Sequence, residues 1–90
     1  MPSTQDRLLL ALYSLYRRQD TYIRSNARII KEAGSPRILK TEARHGLKVL
    51  RTQRFAVHAI TYSMDKPELR GLAHYITHEG ITYLQEKGLI

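Results

Sequence analysis

Leu8, Leu9, Leu12, Leu15 and Tyr16 recur at three- and four-residue spacings, the period of one helical face. Ser3 or Thr4 is placed to cap that helix, and Asp6 puts a negative charge in its first turn, where the helix dipole favours one. The pattern predicts a first helix running to about Arg18, broken by Gln19 and Asp20. Thr21-Tyr22-Ile23 is β-prone and predicts a very short strand. Ser25 then caps a short helix through Ala27, Ile30 and Ala33, stopped at Gly34. Ser35-Pro36 gives a second start signal at once, a capping serine with proline at the first helical position. A third helix is therefore expected from Pro36 to about Gln53, with Leu39, Ala43, Leu47 and Leu50 as one buried stripe. Gly46 inside it costs ~1 kcal/mol relative to alanine and points to close packing.

After Gln53 the period shortens to two. Phe55, Val57, Ala59, Thr61 and Ser63 alternate with Ala56, His58, Ile60 and Tyr62, as in a strand. Met64 to Gly71, with Asp65, Pro67 and Gly71, reads as a polar turn, and Leu72 to Ile76 returns as a second strand. Thr77 caps a last helix, with Glu79 in its first turn and Ile81, Leu84 and Tyr83 as candidates for burial. Gly88 closes that helix before an apolar Leu89-Ile90. No repeat or low-complexity segment interrupts the chain, so residues 1–90 are expected to form a single domain.

Charge changes this picture from a generic small domain to one with a directed surface. Fifteen Lys and Arg face eight Asp and Glu, a net +7. Between residues 21 and 54 there are nine basic residues against only Glu32 and Glu42, so the entire excess lies in the middle third. On the third helix Arg37, Lys40, Thr41, Arg44, Lys48 and Arg51 fall opposite the apolar stripe, with Glu42 the one acid among them. An exposed helix usually mixes signs to form i,i+4 pairs. Like charges on one face repel, which suits a polyanionic partner that neutralises them.

The order helix, short strand, helix, turn, helix, hairpin, helix resembles the winged-helix variant of the helix-turn-helix DNA-binding fold, an α+β and mainly helical class. Leu50-Arg51-Thr52-Gln53-Arg54-Phe55 is similar to the family's passage from recognition helix to hairpin, and Tyr75-Ile76-Thr77-His78-Glu79-Gly80 to its hairpin exit, Thr-x-x-Gly before a helix. Arg54 stands where the family has glycine, which implies another shape for that turn. The resemblance implies that Pro36–Gln53 lies in a major groove and that the Ser63–Gly71 turn is a wing touching neighbouring backbone. Lys66 and Arg70 are then the wing's phosphate contacts, although Asp65 and Glu68 flank them. Ser25 is a cap and, in this fold, also a candidate phosphate contact at a helix N-terminus, with Arg28 beside it.

Other chemistries find less support. With no cysteine, disulfides, cysteine zinc sites and thiol catalysis are excluded. His58 is expected to face His74 across the hairpin, but no HExxH or other ligand spacing appears, so no metal or cofactor is expected. No Gly-rich phosphate loop exists, and His78-Glu79 are adjacent in sequence, which does not put them on one face; no enzyme is expected. Tyr13, Tyr16 and Tyr83 lie at or beside apolar stripes, more in keeping with core or interface than with base stacking. No apolar run approaches a membrane span or a signal segment, so an intracellular, cytoplasmic location with the nucleoid is expected. The expected function is a dimeric regulator of transcription on double-stranded DNA. Leu8, Leu12, Tyr16, Tyr83, Leu89 and Ile90 are the expected dimer contact, because a core this small often adds subunit contacts. A winged-helix adaptor for an acidic protein, and a plasmid or viral replication or partition protein, are the alternatives.

Overall fold

The computed structural model describes residues 2–19, 25–62 and 70–90. Its elements are α1 (Thr4–Arg17), α2 (Asn26–Ala33), α3 (Lys40–Thr52), β1 (Ala56–Tyr62), β2 (Arg70–Ile76) and α4 (His78–Glu86). The chain is thus mainly helical α+β, with β1 and β2 paired as an antiparallel sheet in which His58 stands opposite His74. The expected strand at Thr21-Tyr22-Ile23 and residues 63–69 of the expected Ser63–Gly71 turn, Lys66 included, lie outside the described residues, whereas Arg70 and Gly71, expected in that turn, are the first residues of β2.

Three helices start where a hydroxyl is available to satisfy their free backbone donors. Ser3, Ser25 and Thr77 accept hydrogen bonds from the N–H groups of Asp6, Arg28 and Gly80. Gly34 ends α2 at φ 76° and ψ −154°, a region that suits glycine, and its N–H reaches the carbonyls of Ile30 and Lys31. α4 ends through paired bonds from Gly88 N to Gln85 O and from Leu89 N to Leu84 O.

α3 begins later than its sequence suggests. Ser35 and Pro36 belong to the connection, not to a helical first turn, and Leu39 is the N-cap residue. The reason lies in α1. Arg7 donates from one guanidinium nitrogen to the carbonyls of Ala33 (3.5 Å), Gly34 (3.1 Å) and Pro36 (2.5 Å). These bonds hold residues 34–39 as the connection between α2 and α3, with the Pro36 carbonyl engaged by Arg7 instead of by a helical N–H. Ile38, buried to 2%, fills the core place expected for Leu39, which is left 59% exposed.

The end of α3 corrects a second expectation. Arg54 takes the left-handed conformation itself, at φ 65°, so the turn keeps the glycine-like shape without a glycine. Phe55 N bonds Leu50 O at 2.9 Å and Arg54 N bonds Arg51 O at 3.0 Å, the paired closure of a helix end. The left-handed residue costs about 1–2 kcal/mol, which distant contacts offset. Thr77 Oγ1 donates to Arg54 O at 2.7 Å while accepting from Gly80 N, and Thr77 N bonds Phe55 O at 3.1 Å. A Cβ at Gly80 would strike the Phe55 carbonyl, so the Thr-x-x-Gly sequence is what lets α4 sit on this corner.

α1 is the centre of the core. Leu8, Leu9, Leu12 and Leu15 are fully buried among Ile29 and Ile30 of α2, Ala43, Leu47 and Leu50 of α3, and Leu84 of α4. Leu8 and Leu12 are therefore not dimer contacts: the chain's own helices surround them. At the α1–α3 crossing a Cβ on Gly46 would fall 2.5 Å from Leu8 Cδ1, which explains a glycine inside a helix. Among the described residues no helix is long and apolar enough to cross a membrane.

Candidate nucleic-acid interface

α3 divides cleanly into two faces. Ala43, Gly46, Leu47 and Leu50 pack inward, whereas Lys40, Thr41, Glu42, Arg44, His45 and Lys48 are exposed. Lys40, Arg44 and Lys48 are spaced by four, so they form one row with a rise of roughly 6 Å per step. Arg37 is exposed in the turn just before them. None of these four cations has an ion pair or side-chain hydrogen bond among the described residues. Local sequence explains why: Glu42 has Ile38 and Gly46 at i ± 4, and Leu39 and His45 at i ± 3, with no Lys or Arg in reach.

The other acid of the basic segment is turned away. Glu32 on α2 accepts from Ser14 Oγ at 2.8 Å and from Arg18 Nη2 at 2.8 Å, both from the α1 segment. Among the described residues, neither Glu32 nor Glu42 pairs with Arg37, Lys40, Arg44 or Lys48.

Arg51 differs from the rest of the row. It is half-buried, and its Nη1 lies 2.6 Å from Nε2 of His74 on β2. An arginine can only donate, so Nε2 is the acceptor and the imidazole is neutral, with its proton on Nδ1. Burial, then the Arg51 charge and then His58, hold the His74 pKa down at about 4, against an ordinary 6.5. His74 is 1% exposed and its Nδ1 has no hydrogen-bond partner among the described residues. The His58 ring sits edge-on to it at 5.9 Å, the cross-strand pair expected from sequence. Arg51 is consequently tied to the hairpin and is not a free member of the exposed row.

Around α2 the expected contacts separate. Ser25 Oγ is engaged in capping α2, and Arg28 is exposed in part but engaged with its neighbours. Arg70 supplies the first residue of β2. Of the expected dimer residues, Tyr16 (52%) and Ile90 (43%) are exposed. Tyr83 stacks on Phe55 at 4.6 Å and donates to Asp6 Oδ1 at 2.8 Å, and Leu89 packs on the core. That bond to Asp6, then burial, raises the Tyr83 pKa.

Three residues of this surface carry weight that the sequence pattern does not give them. His45 lies on the exposed face four residues after Thr41, a spacing that could have marked it. Leu39 fits the core stripe by spacing, yet lies outside it. Arg7 sets the start of α3 from 26 to 29 residues away, and no local signal announces that. Among the described residues no three His, Asp or Glu side chains gather as ligands for one metal ion. No family model, curated protein or solved structure matches the chain.

Proposed function

We propose that the chain is a winged-helix protein that binds double-stranded DNA, with α3 as the recognition helix in the major groove. The observation that carries this reading is the row Lys40, Arg44 and Lys48, exposed and without a partner among the described residues, on a helix whose opposite face is core. Phosphates along a duplex supply the anions that the protein does not. The β1–β2 hairpin follows α3 directly, in the place of a wing, with Lys66 and Arg70 as its proposed phosphate contacts. Arg51, held by His74, links recognition helix and hairpin. A small dimeric transcriptional regulator is the biological role that fits best, with Tyr16, Leu89 and Ile90 as the remaining candidates for the contact between copies. Light scattering at micromolar concentration is expected to give about twice the chain mass; a monomer throughout that range removes the dimer.

Titration of the full chain against random and genomic duplexes at several salt concentrations tests the reading. Phosphate contacts from Arg37, Lys40, Arg44 and Lys48, with Lys66 and Arg70 of the wing, predict a slope of log affinity on log salt of roughly −5 per bound chain. Affinity that is absent, or independent of salt, contradicts it. The second reading is an adaptor whose basic face meets an acidic protein, and Val57 and Ile60, exposed at 51% and 58% on the hairpin, are apolar surface such a protein contact would use. The adaptor predicts no duplex binding in the same titration.

A further inference from the structure

We infer that Leu39 is a specificity-determining residue that packs on the 5-methyl group of a thymine in the bound duplex. The inference rests on the DNA-binding reading above and adds the base class that α3 selects. Single exposed leucines are ordinary on protein surfaces. Leu39 is distinguished by breaking two local preferences at once. It leaves 59% of its surface in water at the end of a helix whose other apolar residues are mostly core. It also occupies the N-cap, with no side-chain capping bond, where the other three helices each use a hydroxyl. A serine or aspartate here would improve the helix and remove the exposed apolar surface. Features that are locally unfavourable and uncompensated within the fold mark positions set by something outside it.

The surroundings indicate what that is. Exposed Arg37 and Lys40 flank Leu39, and Thr41 follows on the same exposed turn. An apolar protein surface would meet this side chain only by desolvating the cations beside it. A duplex offers both features at neighbouring positions, phosphates for the cations and, in the major groove, a methyl group on each thymine. The first residues of a recognition helix are those that reach base edges.

The test uses the duplex bound most tightly from a random pool, with each thymine replaced singly by deoxyuridine, which deletes only the methyl. Wild-type affinity is expected to fall about three- to tenfold at one or two of these positions. Leu39→Ala is expected to bind the parent duplex more weakly and to lose that sensitivity, so methyl and side chain are coupled. Leu39→Ser is expected to raise the melting midpoint by roughly 4–8 °C, the gain of a cap. Specific binding in which deoxyuridine has no effect, or an equal effect on wild type and Leu39→Ala, overturns the assignment and leaves DNA binding standing. A lower midpoint for Leu39→Ser overturns it too, because Leu39 would then serve the fold. If no duplex is bound at any salt, the DNA-binding reading fails and this inference fails with it.

Discussion

α1 and α3 are both studded with cations, yet their surroundings give those cations opposite uses. Along α1 and its C-cap, Arg7 closes the α2–α3 turn through three carbonyls, Arg18 pairs with Glu32, and Arg17 lies over the Tyr13 ring at 6.0 Å. On α3, Lys40, Arg44 and Lys48 meet no acceptor among the described residues. α3 holds four cations and α1 two, but the count alone does not say which of them are engaged. What separates them is whether the fold brings carbonyls, carboxylates or rings within reach. A cation with a protein partner holds structure; one without a partner is available to another molecule.

The largest effect expected from this contrast is on affinity. Arg44→Glu combined with Lys48→Glu is expected to lower duplex affinity by orders of magnitude at moderate salt, while folding stability changes within ~0.5 kcal/mol, as exposed substitutions do. Next comes His74, which ties Arg51 to the hairpin. Its pKa is about 4 in the fold and 6.5 when unperturbed, so between those values the unfolded chain binds the additional proton. Its contribution to stability is complete above pH 6.5 and is lost as pH falls towards 4, on the order of 3 kcal/mol. Denaturant melts across that range should show the loss, and His74→Gln should flatten it. Equal pH profiles for the two proteins would separate His74 from the effect.

Arg7→Met sharpens the comparison from the α1 side. Without donation to Ala33, Gly34 and Pro36 the fold should be destabilised by ~2 kcal/mol. Its salt slope should stay close to that of the parent, the reverse of the α3 variants. Tyr83→Phe removes the bond to Asp6 of α1 while keeping the stack on Phe55, and should cost ~1 kcal/mol in a thermal melt. An unchanged melt would show that water replaces the phenol at Asp6.

Elements governed by local chemistry are legible in the sequence. Ser3, Ser25 and Thr77 cap their helices, Gly34 and Gly88 end theirs, and the period-two stretch pairs His58 with His74. The misplacements have distant causes. Ser35-Pro36 is a sound local start signal, but Arg7 overrides it from another helix. Arg54 looks unsuited to a glycine's turn because its compensation comes from Thr77, 23 residues on. Leu8 and Leu12 show that an apolar helical face does not reveal whether its own chain or a second copy will cover it. The candidate site is legible to the extent that charge is: the exposed row follows from spacing, whereas the diversion of Arg51 to His74 depends on the hairpin's position.

The central claim is that location, not net charge, makes α3 the DNA surface. Two double variants of equal charge test it directly: Arg44→Ala with Lys48→Ala, and Arg17→Ala with Lys87→Ala, where Arg17 and Lys87 are exposed on α1 and at the end of α4. Each carries two fewer cations than the parent's +7. The slope of log affinity against log salt on one duplex should flatten by roughly two for the α3 pair, about one for each phosphate that is no longer neutralised, and stay at the parent value for the other pair. Equal slopes for the two variants would show that the duplex responds to overall charge, and would contradict the account.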